Sequence, residues 1–147
     1  MPFRFPLAAV LRLREELEKR EERTLEQRRE TLSILRQQLA EASQCRAGYA
    51  DQRYELLLRG AFGDDLHYAI TQEKSLLRLE EQLRQAIVEA DRLYQEQLQV
   101  YLHARQKRKL LDELRQTRHH AYQEEMNRQQ QRRIDEIVIA RYKMDRQ

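Results

Sequence analysis

From Leu7 onward the chain contains no proline, and from Asp64 onward it contains no glycine. Those two residue types interrupt helices most effectively, proline by removing a backbone donor and glycine by its conformational freedom. Residues 64–147 instead carry apolar side chains at steps of three and four: Leu76, Leu79, Leu83, Ala86, Ala90, Leu93 and Val100. The stripe continues less cleanly through Ala104, Leu111, Leu114, Tyr122 and Met126. A helical pattern this long without internal caps predicts a coiled coil rather than a globular helix.

The earlier part of the chain repeats the pattern. Pro6 is compatible with the first turn of a helix, where its missing N–H is harmless. Leu25, Leu32 and Leu39 follow at seven-residue spacing, the mark of a coiled-coil seam. Glu15 with Lys19 and Glu16 with Arg20 are favourable i,i+4 pairs. Residues 18–23, "EKREER", have no apolar side chain and weaken the seam locally. Gly48 costs about 1 kcal/mol relative to Ala inside a helix, and it marks either a kink or a close approach.

Between the two patterns stands "LLLRGAFGDDLHY", residues 56–68, with Gly60 and Gly63. A phosphate-binding loop would need the Lys-Ser/Thr pair and a preceding strand, and both are missing. The stretch is also too short to link domains. It reads as a reversal, with glycines free to take positive φ, Asp64 or Asp65 capping the next helix, and Leu57, Phe62 and Leu66 closing the tip. Two long helices joined by so short a turn pair antiparallel.

The expected fold is therefore all-α: a long antiparallel two-helix coiled coil, a helical hairpin whose C-terminal helix overhangs. Residues 1–147 form a single coiled-coil domain, with helix one at about 6–58, the turn at about 59–64 and helix two at about 65–143. With the turn centred near residue 62, paired residue numbers total about 124 and Leu7 lies near Thr117. Helix two then outruns helix one by roughly 25 residues and is on the order of 110–120 Å long. The apolar cluster Ile134, Ile137, Val138, Ile139 and Tyr142 falls on the overhang. An exposed apolar stripe marks an interaction site.

Composition agrees. Charged residues make up 36% of the chain and Trp is absent, a profile of long helices. Leucine is too regular for disorder, and a thick globular core is not expected. The 28 basic and 25 acidic residues are interspersed, so the net charge of +3 says little about nucleic acid. The basic run "RQKRK", residues 105–109, lacks the leucine heptads of a zipper protein after it, and no nucleic-acid partner is expected. The apolar run in "MPFRFPLAAVLRLREE" is too short for a signal peptide or membrane span, which predicts a cytoplasmic protein. Cys45 has no partner for an internal disulfide and no base beside it, and it reads as a small apolar residue. His119 and His120 point about 100° apart on a helix, and His67 and His103 stand alone, so no metal site is expected. The carboxylates are solvated, and no pocket excludes water. No catalytic residue, cofactor or enzymatic activity is expected.

The chain resembles the flagellar export protein FliJ family. The likeness is carried by F-x-F-x-L-x-x-V-L-x-L-R, here Phe3 to Arg14, by "RKLLDELRQTRHHAYQEEMNRQQQRRIDE", and within it by Q-x-R-I-D-E, here Gln131 to Glu136. The resemblance covers nearly the whole chain. It implies a stalk-like antiparallel coiled coil of the bacterial flagellar type III export apparatus, cytoplasmic and peripherally associated with the inner membrane through its partners. It implies three partners: the export ATPase hexamer, whose ring the terminal ends enter and whose assembly and activity they promote; the cytoplasmic domain of the export gate protein; and export chaperones. The corresponding ring contacts are Phe3, Phe5, Val10, Leu11, Arg132, Arg133, Ile134, Asp135, Glu136, Ile137 and Val138. The gate face corresponds to Gln38, Ala42, Cys45 and Tyr49 on helix one and Leu79, Leu83, Ala86 and Ala90 on helix two. Ala42 and Cys45 are smaller than the family pattern, and Ala90 replaces a polar residue. Leu79, Leu83 and Ala86 also fit an inner seam. Two other readings are a stalk protein of a virulence-type injectisome and a generic coiled-coil scaffold or chaperone.

Overall fold

The structure is a computed structural model that describes residues 2–60 and 63–146. Two helices make up the fold: α1, Ala8–Leu58, and α2, Asp64–Asp145. They pack against each other as an antiparallel helical hairpin, with no strand among the described residues. Two compact units are distinguished, one of Met1–Lys19 with His103–Gln147 and the other of Arg20–Leu102.

Helix α1 begins just after Pro6. The Ala8 N–H bonds the Phe5 carbonyl at 3.1 Å and the Leu11 N–H bonds the Leu7 carbonyl at 2.9 Å. At its other end the Gly60 N–H bonds the Leu57 carbonyl at 3.1 Å. Gly60 then turns the chain with φ 71° and Gly63 turns it again with φ 118°, values that a side chain would strain. The capping residue differs from the expectation. The Gly63 carbonyl accepts the first helical bond of α2, from the His67 N–H at 3.0 Å, so Gly63 is the N-cap. Asp64 and Asp65 instead occupy the first turn, where their charge complements the helix dipole. Of the three apolar residues expected at the tip, Leu57 is exposed, Leu66 is half-buried and Phe62 lies outside the described residues. Gly48 serves no close approach, because a Cβ added there would meet no atom within 4 Å.

The seam holds more polar residues than the leucine pattern suggests. In the Arg20–Leu102 unit, one row of buried and half-buried positions of α2 runs Ala69, Glu73, Leu76, Glu80, Leu83, Ile87, Ala90, Tyr94, Gln97 and Tyr101, with half-buried residues such as Ile70, Ala86, Leu93 and Leu98 flanking it. The row alternates steps of four and three, a full heptad seam. Leu79 and Val100 of the expected stripe lie outside it and are exposed. The matching positions of α1 are Leu25, Leu32, Leu35, Leu39, Ala42, Arg46, Tyr49, Arg53 and Leu56.

Charged residues enter this seam in pairs. Arg46 Nε donates to Glu80 Oε1 at 2.9 Å, and the Glu80 side chain is fully buried. Arg53 Nη1 stands 3.0 Å from Glu73 Oε2, near enough for an ion pair but not aligned for a hydrogen bond. Gln97 Nε2 donates to the Glu21 carbonyl at 3.1 Å and to its carboxylate at 2.7 Å. In the other unit, Arg108 Nε donates to Glu18 Oε2 at 2.6 Å. The weak apolar stretch "EKREER" is thus bridged to α2 by polar contacts within each unit. Within the basic run of residues 105–109, Arg108 is half-buried against Glu18, while Arg105, Lys107 and Lys109 stay exposed. The three cross-helix ion pairs each total 126 in residue number, close to the expected 124.

These pairs make stability depend on pH. The hydrogen bond from Arg46 holds the Glu80 carboxyl below its usual range, and the one from Gln97 does the same for Glu21. A depressed folded pKa favours folding of the ionised form. That contribution is complete above the unfolded carboxylate pKa near 4.5 and is lost as pH falls through the lower folded values. The thermal midpoint, followed by circular dichroism, should be nearly flat from about pH 7 to about pH 5.5 and should fall below about pH 4.5. A Glu80→Gln variant should show a shallower acid loss.

Candidate functional site

Two surfaces gather the residues singled out in the sequence. The first is at the termini, within the unit of Met1–Lys19 and His103–Gln147. Phe3 meets His119 edge to face, with ring centroids 5.0 Å apart, and Tyr122 at 5.5 Å. Phe5 is buried with the Arg118 guanidinium 5.9 Å from its ring centre. Leu11 is only 3% exposed. Three of the four N-terminal candidates thus spend their apolar surface on α2, and Val10 alone faces outward.

Beyond this packing α2 continues without a neighbour. Every residue from Asn127 to Arg146 is exposed. Ile134, Ile137, Val138 and Tyr142 keep between 53% and 58% of their surface in solvent. At about 100° per residue these four fall within an arc of about 140°, a single face of the helix. Arg132, Arg133 and Glu136 lie on the opposite side, Asp135 at its edge, and Ile139 of the expected cluster, 55% exposed, falls on that opposite side too. This end of α2 carries an exposed apolar patch, with Arg141 within its arc, and no residue packs over it among the described residues. It can insert into a partner with the apolar face buried and the charged face oriented.

The second surface lies in the Arg20–Leu102 unit. Gln38, Glu41, Ala42 and Cys45 of α1 and Leu76, Leu79 and Leu83 of α2 line a groove of about 410 Å³. Its cause is a small residue in the seam: Ala42 is buried where a leucine would fill the space opposite Leu83. The floor is apolar, and exposed Gln38, Glu41, Cys45 and Leu79 form the rim. Five of the eight gate-face candidates meet here. Ala86 and Ala90 line no part of this groove, and Tyr49 turns to Tyr68, with ring centroids 6.3 Å apart. That contact raises the Tyr49 hydroxyl pKa above its ordinary value. Leu76 and Glu41 belong to the groove and were not singled out. The spacing of Leu76, Leu79 and Leu83, about one helical turn at each step, was the available signal.

Among the described residues no cluster of His, Cys, Asp or Glu could hold a metal ion. No helix there is long and apolar enough to cross a membrane.

Comparison with protein families finds a match to the family described as Flagellar FliJ protein, over residues 3–147. Comparisons with curated proteins and with solved structures found no match.

Proposed function

Since the chain belongs to the FliJ family, non-catalytic components of the flagellar type III export apparatus, we propose that it works as the stalk of that apparatus. Residues 1–147 act as one coiled-coil domain. The exposed end of α2 enters the ring of the export ATPase, promotes its assembly and raises its hydrolysis. The groove around Ala42 docks the cytoplasmic domain of the export gate protein, and the chain assists export chaperones. It works in the cytoplasm and reaches the inner membrane through these partners.

The observation that carries this reading is the unpartnered apolar face of Ile134, Ile137, Val138 and Tyr142. A helix end that exposes an apolar patch among charged side chains is suited to insertion into a partner that buries the patch. The packing of Phe3, Phe5 and Leu11 on α2 supplies a firm base from which that helix projects. Binding of the chain to the purified cognate ATPase tests the reading: a complex that stimulates hydrolysis supports it, and no complex removes it.

The gate face has its own test. Leu79 is 42% exposed on the groove rim, so Leu79→Ser should leave the helix pair folded. It should weaken binding of the purified gate domain about tenfold, the size of one lost apolar contact in an interface. Unchanged affinity, measured by calorimetry, would place the gate contact elsewhere.

A further inference from the structure

The largest fully buried side chain is a charged one, Glu80. One carboxylate oxygen accepts the Arg46 hydrogen bond. The other, Oε2, has no hydrogen-bond partner among the described residues, and Arg84 Nη2 stands 3.6 Å from it. Neither the terminal helix nor the groove has any use for this group. A buried carboxylate with one oxygen unsatisfied is a poor way to gain stability, because desolvation offsets most of the attraction. Its strength lies in what it forbids.

We infer that the Arg46–Glu80 pair locks the register of the helix hairpin in the Arg20–Leu102 unit. The reason is in the residues that would replace Arg46 if α1 slid along α2. A slide of one helical step, three or four residues, brings Ala42, Ser43, Tyr49 or Ala50 to Arg46's place. None of them carries a charge to match, so the buried Glu80 would lose its hydrogen bond across the seam and keep only Arg84 of its own helix. Apolar seam contacts discriminate these steps weakly, because the α1 seam offers Leu32, Leu35 and Leu39 in succession and leucine replaces leucine. A slide of a whole heptad brings either Leu39 or Arg53. Only the Arg53 direction restores a cation, and it takes Arg53 from Glu73. The observed register is the one in which both acids are paired. A single buried polar contact specifying alignment at the expense of stability is the best-attested use of such groups.

The test measures alignment and stability separately in the full-length chain. In a Cys45→Ser background, spin labels at Gln44→Cys and Gln95→Cys report the axial offset of the two helices by pulsed electron paramagnetic resonance. Both sites are exposed in the same unit. With Arg46 and Glu80 intact, one narrow distance is expected. With Arg46→Leu and Glu80→Leu together, a second population is expected, its axial offset changed by about 5 Å, one helical turn. The thermal midpoint of that variant should be equal or higher. The swapped pair, Arg46→Glu with Glu80→Arg, should return the single distance. One unchanged narrow distance in the double leucine variant would overturn the inference, as would a midpoint lowered together with an unbroadened distance.

Discussion

A chain ending at Arg133 should lose binding to the export ATPase by a hundredfold or more while keeping its fold. The removed segment buries none of its described residues, since Asn127 to Arg146 are all exposed, and it gives up one exposed hydrogen bond, from Gln131 to Asp135. Its removal therefore takes away no buried contact, and the thermal midpoint should move by no more than about 2 °C. Binding is another matter. Burying the half-exposed side chains of Ile134, Ile137, Val138 and Tyr142 in a partner is worth about 1 kcal/mol each, half the value for full burial. Four such contacts amount to about 4 kcal/mol, or nearly a thousandfold in affinity. Full affinity in the truncated chain would show that the groove or the N-terminal strand of contacts carries the interaction.

The largest loss of stability is expected from Leu32→Ala. Leu32 is 5% exposed at the centre of the α1 seam, between half-buried Leu25 and Leu39. Shortening it removes apolar contacts and leaves a void that two long helices cannot easily close. The expected cost is about 2–4 kcal/mol, at the moderate end because a two-helix interface surrounds each side chain on fewer sides than a globular core does. Urea unfolding should show a lower midpoint with an unchanged slope. The control is Ile34→Ala, two residues away on the outer face and 48% exposed, which should shift stability by less than about 0.5 kcal/mol. Equal effects for the two variants would contradict the seam described here.

The hairpin was legible because its determinants are local. Two helix-forming stretches flank Gly60 and Gly63, and a short reversal leaves adjacent helices no arrangement but the antiparallel one. The pairing near 124 followed from the turn position alone, and the ion pairs place it at 126. The polar part of the seam was not legible from apolar periodicity. Glu73, Glu80 and Arg108 occupy seam positions, and counting leucines skips them or assigns them to the solvent face. A signal was present: Arg46 and Arg53 lie seven apart, as do Glu73 and Glu80, with opposite charges in opposed order. Such matched spacing on two helices is what a charged seam requires. The groove was half legible for a related reason. The helix-one residues Gln38, Ala42 and Cys45 line it together, but which face α2 presents depends on the heptad phase, in which Leu76 and Leu83 share the seam with Glu80 while Leu79 stands on the rim. The terminal cluster from Ile134 to Tyr142 needed no phase, because its side chains all stay more than half exposed.

The central claim is that the free end of α2 acts on the export ATPase. The most direct measurement mixes the full-length chain with the purified cognate ATPase at rising ratios, following hexamer formation by light scattering and hydrolysis by phosphate release. The account predicts that both rise together and saturate near one chain per hexamer. Neither rising, with the chain verified as helical, would contradict it.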